Sequence, residues 1–109
     1  MEDNIYDPTT DQVPIILLAS LGQITAVKEL IETGADVNEK DELGRCAIIT
    51  AASRNDLDMV DLLIKAGAKV DVKDGFGRTP LGYAQYHKNN KLIELIQNGL
   101  RNEKGRGNN

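Results

Sequence analysis

The sequence predicts an all-α repeat solenoid, in which helix-turn-helix units are joined by hairpin-like finger loops. The first observation is an internal repeat: Gly34–Arg45 (GADVNEKDELGR) aligns with Gly67–Arg78 (GAKVDVKDGFGR) at an offset of 33 residues, with seven identities in twelve positions. The second is that apolar residues recur at helical spacing within each period. Repeats of this length are typical of small units that bury their apolar faces only by stacking. We therefore expect an extended binding surface rather than an enzyme pocket.

The middle unit contains two predicted helices and a turn. Ala47–Asn55 is rich in small residues, which favours close approach of neighbouring helices. Leu57–Ala66 carries an apolar stripe at helical spacing, formed by Leu57, Val60, Leu63 and Ile64. Asp56 is the predicted N-cap of this helix, and Gly67 follows it where a left-handed residue closes a helix. The segment Asp74–Gly77 favours a reverse turn, so we expect a finger that projects from the helices.

The first and third units repeat this plan. The first has predicted helices over Pro14–Gly22 and Ile24–Thr33, with Pro14 at the first helical position. The third has predicted helices over Pro80–Lys88 and Lys91–Asn98, and the last is more polar, as expected of a terminal unit. We divide the chain into a flexible segment 1–9, a repeat domain 10–100 with units at about 10–40, 41–73 and 74–100, and a disordered polar tail 101–109.

Composition and charge narrow the class of partner. The 109-residue chain has a net charge of −4, which disfavours nucleic acid and anionic membranes because both need a basic patch. The single cysteine can form no internal disulfide, and one cysteine with one histidine is too few for a zinc site. The acidic N-terminus is unlike a signal peptide, and Val13–Ala19 is too short to span a bilayer. We expect a cytoplasmic protein without metal or cofactor, monomeric when free.

A recurring motif joins the finger to the first helix of each unit. Unit three reads DGFGRTPLGYA (Asp74–Ala84), unit two reads DELGRCAIITAA (Asp41–Ala52), and unit one keeps VPIILLA (Val13–Ala19). These motifs resemble ankyrin repeats, whose period is about 33 residues and whose signature is Thr-Pro-Leu-His-x-Ala. In unit three, Gly82 stands where the signature has histidine. The resemblance covers about residues 10–100.

The resemblance implies a small, free-standing module that binds a folded protein through its finger tips and the concave face of its first helices. The residues that this implies for partner binding are Glu42, Leu43, Arg45, Phe76 and Arg78 at the fingers, and Leu21, Ser53, Arg54, Tyr86 and His87 on the helices. Leu43 and Phe76 are large apolar residues at turn tips, which is typical of a binding hot spot. The alternative is that each tip packs on the neighbouring finger. A dedicated inhibitor, immunity-type protein or chaperone is the expected role.

Two other functions stay open at this stage. The apolar run Ile15–Leu18 favours a structural repeat protein that associates with itself. An enzyme is not expected, because His87 lacks the nucleophile and the orienting partner that a catalytic base requires. We expect His87 to be solvated at the surface and Cys46 to be a small buried residue. Four aspartates at repeat turns are predicted to accept backbone N–H bonds rather than to form a carboxylate site: Asp36, Asp41, Asp71 and Asp74.

Overall fold

The computed structural model describes residues 14–107, with side chains from residue 14 to 103, and in this range the chain forms six helices and no strand. The helices are α1 Ile15–Ser20, α2 Ile24–Glu32, α3 Ala47–Ser53, α4 Leu57–Lys65, α5 Pro80–His87 and α6 Asn90–Gly107. Each unit contributes one pair: α1 with α2, α3 with α4, and α5 with α6. The predicted all-α repeat fold is confirmed.

The first helices of the three units form an inner row, in which α3 contacts both α1 and α5. Small side chains allow this close packing, since Ala51, Ala52 and Ala84 have no exposed surface. The second helices form an outer row, with α4 in contact with both α2 and α6. One core runs through all three units and includes Ile15, Val27, Ile48, Ile49, Met59, Val60, Leu63, Leu92 and Ile96.

The helix ends follow local sequence signals. The Asp56 carboxylate caps α4 by accepting a 3.2 Å hydrogen bond from the backbone N–H of Met59. Gly67 follows α4 with a φ of +94°, so its predicted left-handed closure is confirmed, and Gly34 follows α2 in the same way with a φ of +98°. Pro14 differs from the prediction. It precedes α1 as the N-cap, because its ψ of 137° is extended rather than helical.

Each finger is a tight turn held by an aspartate at its base. The N–H of Asp41 donates to the Arg45 carbonyl, and Asp41 Oδ1 accepts the N–H groups of Leu43 and Arg45, each bond being 2.9 Å long. Asp74 makes the three equivalent bonds in the second finger. Asp36 also accepts a backbone N–H, whereas the Asp71 carboxylate accepts none within the described residues. The predicted turn role is therefore confirmed for three of the aspartates.

The two fingers touch through their backbones. The N–H of Gly75 donates to the Leu43 carbonyl oxygen at 2.7 Å, and a Cβ atom on Gly75 would lie 2.7 Å from that same oxygen. The equivalent residue of the first finger is Glu42, which has no earlier finger beside it in the described chain. Glycine is therefore required at position 75 by the neighbouring finger and not by its own backbone angles.

Helix α6 is longer than predicted. We expected a helix over Lys91–Asn98 and a disordered tail from residue 101, but the helix continues to Gly107. Glu103 provides the physical reason, because its carboxylate accepts hydrogen bonds from the backbone N–H groups of Val70 and Asp71. The expectation of disorder does not hold for residues 101–107. The predicted flexible segment 1–9 lies outside the described residues.

At 18 residues α6 is the longest of these helices, and it is polar along much of its length. Among the helices of residues 14–107, none is both long enough and apolar enough to cross a membrane.

We predict that Gly75→Ala destabilises the fold by about 1–3 kcal/mol, because the added methyl group must push the second finger away from the first. Chemical denaturation followed by circular dichroism measures this change in the free energy of unfolding. Glu42→Ala is the matched control, since it stands at the same position of a finger with open space beside it, and it should change the stability by less than about 0.5 kcal/mol. Equal effects of the two substitutions would contradict the finger contact.

Candidate partner-binding surface

The finger tips carry large apolar side chains that reach solvent. The exposed fraction of the side chain is 46% for Leu43 and 66% for Phe76. Tyr86 on α5 is 79% exposed and Leu21 at the end of α1 is 57% exposed. The remaining exposed candidates are Glu42, Arg45, Arg54 and Arg78. The predicted surface is thus accessible at these eight positions, while Ser53 and His87 are partly buried.

A first groove of about 640 Å³ lies between α1, the first finger and α3. Its charged lining residues are Glu39, Lys40, Asp41, Glu42 and Arg45, three acidic and two basic. The Nε–H of Arg45 donates to Asp41 Oδ2 at 2.8 Å, so these two charges are already paired. Leu17 lines the same groove and is 48% exposed.

A second groove of about 690 Å³ lies one repeat further along, between the end of α3, the second finger and α5. It is lined by Ser53, Gly77, Arg78, Thr79, Gly82, Tyr83 and Tyr86. Arg78 is the only charged residue among them. Gly82 stands where the Thr-Pro-Leu-His-x-Ala signature has histidine. Because glycine has no side chain, this position does not fill the groove.

Arg45 and Arg78 occupy the same position in the two fingers but make different contacts. In the second finger, the Tyr83 hydroxyl donates to Asp74 Oδ2 at 3.1 Å, which is the oxygen that would correspond to the one bound by Arg45. The Arg78 guanidinium carbon instead lies 5.7 Å from the Phe76 ring centre and 5.9 Å from the Tyr83 ring centre. No carboxylate of the described residues lies within salt-bridge distance of Arg78.

The cause of this difference is a substitution on the inner helices. Thr50 of α3 stands where α5 has Tyr83, one repeat later. Thr50 is 7% exposed, and its hydroxyl oxygen has no hydrogen-bond partner among the described residues. The short Thr50 side chain makes no bond to Asp41, so the Asp41 carboxylate pairs with Arg45. The longer Tyr83 side chain donates a hydrogen bond to Asp74, and Arg78 forms no salt bridge with that carboxylate.

The turn geometry shifts the pKa of both finger aspartates. Burial alone would raise the pKa of the Asp41 carboxyl, but hydrogen bonds from Arg45 and Leu43 outweigh it and lower this pKa below 3.8. The pKa of Asp74 is lowered in the same way, by hydrogen bonds from Arg78, Phe76 and Tyr83 that outweigh its burial. The neighbouring Tyr83 oxygen raises the pKa of Arg78. All three groups are charged at neutral pH.

His87 is not the solvated surface residue that we expected. It is half-buried, and its Nε2 lies 2.8 Å from the Ser53 carbonyl oxygen. A carbonyl oxygen only accepts, so this nitrogen must carry the proton. The bond joins α5 to the last turn of α3, where carbonyl groups lack partners within the helix. The ring edge contacts Tyr86, with ring centres 5.3 Å apart.

The cysteine is buried, and the acidic residues form no metal-binding cluster in the described part of the chain. Cys46 is 2% exposed, so its predicted burial is confirmed, and this burial raises the pKa of its thiol. Among residues 14–103, no group of three or more histidine, cysteine or acidic side chains is arranged to hold a metal ion.

Sequence reasoning missed three residues that shape the two grooves: Leu17, Gly82 and Tyr83. Leu17 and Tyr83 could have been found by aligning the units at the 33-residue offset. This alignment places Leu17, Thr50 and Tyr83 at equivalent positions, where the third unit alone has a large polar side chain. The role of Gly82 needed the structure. Of the predicted binding residues, five line neither groove: Leu21, Leu43, Arg54, Phe76 and His87.

The comparisons agree with this architecture. Residues 15–105 match a family model described as ankyrin repeats in three copies, a range that takes in all six helices but for the last two residues of α6. No curated protein matches the chain.

We predict that His87→Ala lowers the free energy of unfolding by about 1 kcal/mol, because the Ser53 carbonyl loses its partner. Thermal and chemical denaturation measure this change. Gln85→Ala, an exposed residue of the same helix, is the control and should alter stability by less than about 0.5 kcal/mol. A His87 variant as stable as the control would show that the inter-helix bond contributes nothing.

We predict that the two finger aspartates make the fold sensitive to acid. Their pKa values in the folded chain lie below the ordinary 3.8, so their stabilisation is complete above that pH and is lost as the pH falls through the lowered values. Asp41→Asn with Asp74→Asn keeps an oxygen acceptor but removes the titration. The unfolding free energy of this double variant, measured between pH 7 and pH 2, should fall less steeply in acid than that of the wild type. Identical acid profiles would contradict the prediction.

Proposed function

Because the chain belongs to the ankyrin repeat family, we propose that it binds a folded protein partner through its finger tips and inner helix row. Ankyrin repeats are generally protein-interaction modules and are typically not enzymes. The observation that carries the proposal is the solvent exposure of Leu43 and Phe76 at equivalent positions of two adjoining fingers.

The rigidity of the fingers supports this proposal. Three backbone-directed bonds from one aspartate hold each turn, and the bond between Gly75 and Leu43 holds the two turns together. A partner that covers Leu43 and Phe76 therefore orders little of the chain on binding, which favours affinity. The alternative interpretation, in which each tip packs on its neighbour, is weakened because the contact is made by backbone atoms while both side chains stay about half exposed or more.

The predicted binding residues form a centre and a periphery in this proposal. Leu43, Phe76 and Tyr86 supply apolar and aromatic area, with Arg45, Arg78 and Glu42 beside them as the polar rim. Ser53, Arg54, Leu21 and His87 extend the surface along the inner helices. The role of His87 is indirect, since its Nε2 is engaged with Ser53.

The finer role that we favour is occlusion of a partner surface, as in a dedicated inhibitor, an immunity-type protein or a chaperone acting in the cytoplasm. A rigid apolar surface such as the one formed by Leu43 and Phe76 can act on a partner by covering it. A second candidate function, self-association, is favoured by the exposure of Leu17, Leu21 and Ile24 in the first described unit, at 48%, 57% and 39%. Light scattering over a range of concentrations separates the two, because only self-association raises the molar mass of the free protein.

We predict that Leu43→Glu with Phe76→Glu abolishes partner capture while the chain stays folded, because both sites are exposed and two charges would enter the apolar centre of the interface. Affinity capture from the native host's lysate, read by mass spectrometry, compares the double variant with the wild type. Lys28→Glu on the exposed face of α2 is the matched control, since it changes the net charge by the same two units. A partner retained by the double variant would place the binding site elsewhere.

A further inference from the structure

The second groove is lined by a single charged residue, which forms no salt bridge within residues 14–103. Arg78 is the only charged residue that lines this groove. Its guanidinium is exposed, and no carboxylate of the described residues lies within salt-bridge distance. In the first groove, by contrast, Arg45 is bound to Asp41 and acidic residues outnumber basic ones. An acidic group of a partner is therefore attracted to the second groove and not to the first.

The position of Arg78 is set by its surroundings. Phe76 and Tyr83 both lie within cation–π distance of the guanidinium, at 5.7 Å and 5.9 Å from their ring centres. Tyr83 is itself held by its hydrogen bond to Asp74. The Tyr83 oxygen takes up part of the hydrogen-bonding capacity of the guanidinium, and its remaining N–H groups can donate to a ligand. Such a planar donor group matches a carboxylate, which can accept two parallel bonds from arginine.

The groove offers a second donor and an apolar wall. Thr79 Oγ1 accepts the backbone N–H of Gly82 at 3.0 Å, and this leaves its hydroxyl proton available beside Arg78. Tyr86 lines the other side and is 79% exposed. Since Gly82 contributes no side chain, the volume of about 690 Å³ is open to a side chain that enters from outside.

We propose that the second groove binds an acidic segment of the protein partner, with a glutamate or aspartate carboxylate on Arg78 and an adjacent apolar side chain against Tyr86. This inference rests on the proposed function and specifies the kind of segment that the partner presents. Tyr83 is a positioning residue, because it acts by occupying Asp74 and so keeping Arg78 available for the partner.

The test uses a phage-displayed library of random peptides, selected on the full-length chain. Peptides that bind should share an acidic residue next to an apolar one. For a selected peptide, Arg78→Gln and replacement of the peptide's acidic residue by its amide should each weaken binding by about tenfold or more, measured by fluorescence anisotropy. The two changes together should cost little more than either alone, because both remove the same contact. Lys28→Gln, which removes one positive charge from the exposed face of α2, is the matched control and should change affinity by less than about twofold.

A second variant tests the positioning role. Tyr83→Phe keeps the aromatic ring but removes the hydroxyl that occupies Asp74, so Arg78 can pair with Asp74 as Arg45 pairs with Asp41. We expect the affinity for the peptide to fall by several-fold although the net charge is unchanged. An unaltered affinity would show that Tyr83 does not control Arg78.

Three outcomes would overturn the carboxylate site: selected peptides without acidic residues, equal losses in Arg78→Gln and Lys28→Gln, or a selection that enriches no binding peptide. Each is separable from failure of the proposed function. If Leu43→Glu with Phe76→Glu abolishes partner capture while Arg78→Gln leaves it intact, the finger tips bind the partner and the proposed carboxylate contact with Arg78 is wrong. A thermal melt of each variant confirms that it is folded.

Discussion

Helix α3 is the element on which the other five depend, because it is enclosed by α1, α4 and α5. Six of its seven residues are buried, and three of those six are alanine. Alanine lets the inner helices approach closely, while Ile48 and Ile49 fill the space between the rows. The Thr50 hydroxyl lies at the edge of this environment, where it lines the first groove and has no hydrogen-bond partner among the described residues. Loosening α3 would therefore separate all three units together.

The repeat gives the two fingers the same backbone geometry, whereas differences between equivalent residues give them different side-chain contacts. The same aspartate turn is built twice, so that Leu43 and Phe76 emerge in the same way from two adjoining fingers. The replacement of Thr50 by Tyr83 at equivalent positions changes which group binds the finger aspartate. Two fingers with one backbone conformation therefore present one paired arginine and one available arginine.

Two side chains from the neighbouring units accept backbone N–H groups of the loop after α4. Asn38 Oδ1 accepts the backbone N–H of Lys69 at 2.8 Å, which joins the loop after α2 to the loop after α4. At the next position along the stack, Glu103 of the extended α6 accepts the N–H groups of Val70 and Asp71. A helix extension thus satisfies backbone donors at the last unit.

The sequence by itself determined the repeat period, both ends of the first five helices to within a few residues, the start of α6, the caps at Asp56 and Gly67, and the aspartate turns of the two fingers. Each of these depends on residues close together in the chain, or on a period that the sequence displays directly. It also predicted the exposure of Leu43 and Phe76, because a residue at the tip of a turn has few neighbours. Only the tertiary structure decided the bond from His87 to Ser53, the continuation of α6 through Glu103, and the different partners of Arg45 and Arg78. These contacts join residues from different repeats, or depend on whether a side chain on a helix reaches a finger, and no local pattern specifies that distance.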